Sequence, residues 1–110
     1  MHNKWKSFGL EDHVAIVSGA SEGIGRTLAI ALAEAGVHVT IASRTQTALE
    51  EVAFEIEKLG RQALVVPTDL REVAQIQTLV TKTQARFGKI DILINNAAWT
   101  ATVDALEVTE

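Results

Sequence analysis

Three glycines, Gly19, Gly23 and Gly25, fall within Ser18-Gly19-Ala20-Ser21-Glu22-Gly23-Ile24-Gly25, between the apolar run Val14 to Val17 and a helix-like stretch from Arg26 to Ala35. The chemistry open to such a segment is anion binding. Where a strand turns into a helix, the first-turn N–H groups have no intrahelical partner and the helix dipole adds positive potential, so a phosphate can be held by backbone alone. The spacing gives each glycine a separate role. Gly19 lets the chain leave the strand tightly, Gly23 clears the path of an incoming pyrophosphate, and Gly25 lets the helix lie close to the strand. Glycines also collect in turns for steric reasons. A strand before, a helix after and a second strand beyond are what make this a dinucleotide signature.

Other reactive residue types form no comparable group. His2, His13 and His38 are dispersed, without acidic neighbours at metal-ligand spacing, and read as solvated or strand-end histidines; no metal site is expected. Ser18, Ser21 and Ser43 have no base placed to complete a hydrolase triad. With no cysteine there is neither a disulfide framework nor thiolate chemistry, which fits a reducing compartment. Glu50, Glu51, Glu55 and Glu57 read as a solvated helix face, aided by the spacing from Glu57 to Arg61. Trp5 and Trp99 read as edge or interface packing.

The 110 residues are enough for one domain with a real core, and 47% hydrophobic content with a single proline argues against disorder. A net charge of −4, with only ten scattered Lys and Arg, excludes a general nucleic-acid face. The start, Met1-His2-Asn3-Lys4-Trp5-Lys6, lacks the apolar core of a signal peptide, and no run approaches the roughly 20 apolar residues of a membrane span. The expectation is a cytoplasmic protein with neither nucleic acid nor membrane as a partner.

The elements that must position the glycine turn follow from periodicity. Val14 to Val17 reads as a buried strand. A helical face follows, of Ile24, Leu28, Ala31, Leu32 and Ala35, closed by Gly36. Val37 to Ile41 is a second strand. The next helix carries Leu49, Val52, Ala53, Ile56 and Leu59, with a capping box from Thr47 to Glu50 and a stop at Gly60. Ala63 to Val66 is a third strand, ended by Pro67. Asp69 and Glu72 form a second cap ahead of a helix with Val73, Ile76, Leu79, Val80 and Phe87 on one face, closed by Gly88. Ile90 to Ile94 is a fourth strand. Alternating elements, short loops and uninterrupted apolar strands predict an α/β fold. It is a Rossmann-type, doubly wound parallel sheet with helices on both faces and right-handed crossovers.

From Leu10 to Glu110 the chain resembles the short-chain dehydrogenase/reductases. Ser18 to Gly25 is similar to that family's T-G-x-x-x-G-x-G, with serine for threonine. Asp91-Ile92-Leu93-Ile94-Asn95-Asn96-Ala97-Ala98 is similar to its D-x-L-x-N-N-A-G, with Ala98 in the place of glycine. Asp69-Leu70 follows the third strand, and Leu106 to Glu110 looks like the lead-in to the family's next long helix. The resemblance implies that residues 1–110 are an NAD(P)-binding Rossmann domain, the N-terminal portion of the family fold, stopping after the fourth strand. Its site would comprise Ser18, Gly19, Ser21, Glu22, Gly23, Ile24 and Gly25 at the phosphates, Asp69 and Leu70 at the adenine, and Asn96, Ala97 and Ala98 near the ribose and nicotinamide. For Asn95, a structural tie between strand ends and a ligand contact are both open. Ala98 is expected to need only a backbone adjustment.

The end of the second strand decides the cofactor. A carboxylate there would bind the 2′-hydroxyl of the adenosine ribose; this chain has Ser43-Arg44, a hydroxyl and a guanidinium suited to a 2′-phosphate. Glu22 pulls the other way. The expectation is NADP(H), with NAD(H) as the alternative. In the family a tyrosine, a lysine four residues later, a serine and an asparagine carry catalysis; this chain has no tyrosine and ends at Glu110, so no catalytic residue is assigned within it. The expected function is that of an NAD(P)-dependent oxidoreductase acting on a small carbonyl or alcohol, a homo-oligomer when complete, with this chain as its cofactor-binding half. The alternatives are a non-catalytic NADP(H)-binding module and a fragment that needs a partner chain over the open edge of its fourth strand.

Overall fold

The computed structural model describes residues 9–96. Seven elements alternate: β1 (Val14–Ser18), α1 (Gly23–Glu34), β2 (His38–Ser43), α2 (Gln46–Lys58), β3 (Ala63–Pro67), α3 (Val73–Phe87) and β4 (Ile92–Ile94). The strands form one parallel sheet in the order β3-β2-β1-β4. The chain moves outward from β1 to β3, then crosses back to the other side of β1. With crossovers of one hand, that reversal requires α1 and α2 on one face and α3 on the other. The packing shows this division. Ala15, Val17, Val39 and Ile41 join Ala29 and Ala33 of α1 and Leu49, Val52 and Ile56 of α2. On the opposite face, Ile16, Ala42 and Val66 pack with Leu79 of α3. Every residue of β1 is buried, as a central strand covered on both faces requires. Ile16, Ile41, Leu49 and Ile56 are fully buried, each contributing roughly 1.5–3 kcal/mol over exposure.

The doubly wound parallel sheet is as expected, and the glycine stops hold: Gly36, Gly60 and Gly88 all follow their helices at positive φ. Other expectations need correction. The buried face of α1 is Gly25, Ala29 and Ala33, whereas Ile24 is 70% exposed. Small residues let this helix sit close to the sheet, and size, more than hydropathy, decides which side faces inward. Thr47 lies inside α2; the N-cap is Thr45, with no side-chain cap bond. Asp69 caps no helix either, for α3 starts at Val73 after Glu72. Leu59 and Val80 are exposed. On α3, Thr83 is buried instead, its hydroxyl 3.0 Å from that of Thr40 on β2. Arg61 does not serve Glu57; its Nη1 donates to Asp12 Oδ1 at 3.1 Å. The fourth strand is shorter than expected, and Ile90 packs beside the α3-side core before it begins. Trp5, Trp99, His2 and the segment Leu106 to Glu110 lie outside the described residues.

Asp91 sets the register at the start of β4. Its N–H donates to the Val14 carbonyl and its Oδ2 accepts the Val14 N–H, both at 2.8 Å, so one residue closes the ladder between β1 and β4 in both directions. The Val14 bond, aided by Lys89 with its Nζ 3.3 Å from Oδ2, holds the Asp91 carboxyl below the usual carboxylate range. A depressed folded-state value contributes stability above the unfolded value and loses it as pH falls through the folded one. Asp91→Ala should therefore melt below the wild type at neutral pH, with the difference in Tm shrinking as pH falls below about 4. Thermal melts across pH 2 to 7 check this; a constant difference over that range would contradict it.

Candidate functional site

The site lies at the carboxyl ends of the strands, where a doubly wound sheet opens a crevice beside the point of chain reversal. Here that point is between β1 and β4. After β1 the chain turns at Gly19 (φ 63°), runs through Ser21 and Glu22, and enters α1 at Gly23 (φ 60°). Both positions lie in the left-handed region that favours glycine. Gly25 is needed for a different reason. A Cβ there would collide with the Gly19 carbonyl oxygen and lie 2.8 Å from Asn96 Nδ2. Nothing stands within 4 Å of the corresponding position at Gly23. One glycine thus closes the helix onto the strand, and another leaves open space beside the first helical turn. The N-cap residue Glu22 makes no side-chain bond to that turn, which leaves its N–H groups to an outside acceptor.

Backbone bonds align the strand ends. The Ala20 N–H donates to the Ala42 carbonyl at 3.2 Å and the Thr68 N–H to the Ser43 carbonyl at 2.7 Å. Ser43 Oγ accepts the Thr45 N–H at 3.2 Å, shaping the loop that presents Arg44. The result is a cleft of about 490 Å³ lined by Gly19, Ser21, Glu22, Ser43, Arg44, Asp69 and Leu70 from the expected set, together with Thr45, Thr68 and Arg71.

Ser18 stands behind the turn. It is buried, and its hydroxyl lies 3.4 Å from the Ile94 carbonyl and 3.2 Å from Asn95 Oδ1, donating to one of them while accepting the Asn96 N–H at 2.9 Å. The serine joins the end of β1 to the end of β4, and of the two readings open for Asn95 the geometry displays the structural tie. Gly23, Ile24, Gly25 and Asn96 border the turn outside the cleft lining. Ala97 and Ala98 lie outside the described residues.

Of the cleft residues outside the expected set, Arg71 is the charged one. Its N–H and Nε donate to Asp69 Oδ1 at 3.0 and 3.1 Å, and its Nη2 donates to Oδ2 at 3.0 Å. These bonds, foremost that of the side chain, hold the Asp69 carboxyl down at about 2, with Arg44 adding a smaller favourable field. The Asp69 N–H donates to Gln75 Oε1 at 2.7 Å, fastening the loop to α3. Two residues of separation and no helical period gave no pattern to search for; only the folded loop shows the pair. Arg44 has no ion pair among the described residues. The described residues contain no group of three side chains suited to a metal, and no helix among them is long and apolar enough to cross a membrane.

A family model for short chain dehydrogenase matches residues 13–110, and the chain belongs to that family. It is 46% identical over 84 residues to a fatty acyl-CoA reductase of Acinetobacter baylyi, covering 76% of this chain and 28% of that protein. It is 41% identical over 107 residues to a 2-dehydro-3-deoxy-D-gluconate 5-dehydrogenase of Escherichia coli, covering 94% and 40%. Among solved structures, L-sorbose reductase from Gluconobacter frateurii, complexed with NADPH and L-sorbose, superposes with a TM-score of 0.77 at 34% identity, covering 80% of this chain and 34% of that one. The chain thus spans between 28% and 40% of the length of these curated relatives.

The two turn glycines should respond differently to substitution. Gly23→Ala has space but a left-handed backbone, at a cost of about 1–2 kcal/mol, and Gly23→Asn should recover part of it because asparagine tolerates that region. Gly25→Ala meets the Gly19 carbonyl and should lose about 1–3 kcal/mol by overpacking, with Gly25→Asn worse still. Denaturant unfolding of the four variants checks this, and asparagine tolerated equally at both positions would contradict it.

Proposed function

We propose that this chain is the cofactor-binding part of an NADP(H)-dependent oxidoreductase acting on a small carbonyl or alcohol. The observation that carries the reading is the cleft itself. An open, glycine-lined helix start, a guanidinium without an ion pair among the described residues, and an ionised carboxylate meet at three adjacent strand ends.

The residues present fit the dinucleotide. The pyrophosphate would lie over Gly23 at the start of α1, where helix N–H groups and dipole favour an anion. Arg44, with Ser43 beside it, would take the 2′-phosphate, since a guanidinium binds phosphate in a two-pronged fashion and an acid at this place would repel it. Glu22 on the facing lip opposes that charge, so the preference rests on Arg44. Asp69 would accept from the adenine, with half-buried Leu70 as its apolar flank. Asn96, Ala97 and Ala98 would stand toward the ribose and nicotinamide. Ser18, Asn95 and Gly25 act by holding this arrangement together. The bound cofactor would supply hydride chemistry. The chain's own residues bind and orient it, and none of them is assigned to proton transfer.

The readings of a soluble cytoplasmic protein, a homo-oligomer in its complete form and a small-molecule substrate accompany this proposal. The small-molecule substrate is supported by the family and by the named substrates of its relatives; the location and the oligomer are carried by the resemblance alone.

Two variants test the reading by NADPH and NADH titration. Gly23→Val should abolish binding of both while far-ultraviolet circular dichroism keeps its helical signal; binding that survives would reduce the glycine turn to a structural feature. Arg44→Asp should weaken NADPH roughly 10- to 100-fold, the scale of a lost charge-assisted contact, and shift preference toward NADH. Unchanged affinity for both would remove Arg44 from the site.

A further inference from the structure

Asp69 and Arg71 are joined more closely than an exposed ion pair needs. Three donors of one residue, its backbone N–H, Nε and Nη2, converge on a carboxylate two positions earlier. A carboxylate oxygen accepts about two hydrogen bonds. Oδ1, which takes the backbone N–H and Nε, is therefore saturated by Arg71, while Oδ2, which takes Nη2 alone, keeps one lone pair. The anchoring is doubled from the other side, because the Asp69 N–H is held by Gln75 of α3.

We propose that Arg71 is a positioning residue for nucleobase recognition: it presents the free lone pair of Asp69 Oδ2 as a single fixed acceptor, selecting a 6-aminopurine over a 6-oxopurine. The inference rests on reading the cleft as a dinucleotide site. An ionised carboxylate can only accept, so a base edge that places an amine there is bound and one that places a carbonyl oxygen there is repelled. Arg71 extends the ionisation of Asp69 further into acid, and its fork geometry, which a lysine lacks, aims the carboxylate. The same pairing separates the two arginines of the cleft. The Nε and Nη2 edge of Arg71 is engaged with Asp69, whereas Arg44 has no ion pair among the described residues and remains the one to fork a phosphate. The other charges around the pair are Arg44 and Glu22 on the facing loops and Glu72 beside Arg71.

The test measures dissociation constants of the protein for NADPH, NADH and the reduced hypoxanthine analogue of NADPH, between pH 4 and 8, in the wild type, Arg71→Ala and Arg71→Lys. The wild type should prefer NADPH to the hypoxanthine analogue by about tenfold or more, the scale of a misplaced polar contact. Arg71→Ala should cut that preference severalfold and move the acid loss of NADPH binding up toward pH 4, while leaving the NADPH-to-NADH ratio as in the wild type. Arg71→Lys should restore the acid behaviour but only part of the discrimination. An Arg71→Ala variant that keeps the wild-type base preference would overturn the inference, and so would one that loses the 2′-phosphate preference, which would make Arg71 a phosphate ligand. A wild-type protein that binds neither NADPH nor NADH would overturn the dinucleotide reading beneath it, so the two failures are distinct.

Discussion

The approach of α1 to the end of β1 is the constraint on which the upper rim of the sheet depends. Gly25 touches the Gly19 carbonyl so closely that a single methyl group there would force the helix away from the strand. The same contact brings the helix start beside Asn96, whose N–H is held by Ser18. Strand β1, helix α1 and strand β4 are therefore locked at one point, the place where the chain reverses direction across the sheet. The open space at the glycine turn follows from that lock. The backbone must bend through two left-handed positions to keep the contact, and the second of them, Gly23, leaves empty space over the first helical turn.

Around this fixed point the cleft distributes charge unevenly. Glu22 and Asp69 are acids and Arg44 and Arg71 are bases, so the lining is nominally balanced. Geometry breaks the balance, because Asp69 and Arg71 are joined by three hydrogen bonds and Arg44 is joined to nothing charged among the described residues. A partly exposed pair of this kind adds little to stability. Its consequence is order: it engages Oδ1 twice and Oδ2 once and leaves the Arg44 guanidinium without a charged partner among the described residues.

Much of this architecture was legible in the residues. Uninterrupted apolar strands, helices of 3.6 periodicity and glycine stops at Gly36, Gly60 and Gly88 marked the alternating order, and the glycine turn and Arg44 marked the cleft. What escaped shares a physical cause: it depends on distances between elements, which periodicity does not contain. Ile24 reads as a core residue by hydropathy, yet α1 turns its smallest residues to the sheet because close approach outweighs burial of one large side chain. Asp69 reads as a helix cap until the loop folds Arg71 back onto it. Thr83 is absent from the apolar face that periodicity assigns to α3, yet it is buried, because a second buried hydroxyl, that of Thr40, lies across the interface to satisfy it. Asn95 reads as a ligand contact or a tie with equal right, and only the separation of the strand ends displays the tie, with Ser18 as its partner.

The claim on which these conclusions converge is that a dinucleotide phosphate group sits at the α1 start with its adenosine half over the ends of β2 and β3. Backbone amide shifts of the isotopically labelled protein, followed during titration with NADPH, test it most directly. Perturbation should concentrate at Gly19 to Gly25, Ser43 to Thr45 and Thr68 to Arg71, and leave the opposite rim, at Asp12, His38 and Gln62, unmoved. Saturable perturbation centred on that opposite rim, or no perturbation at Gly23 and Arg44 under saturating NADPH, would contradict it.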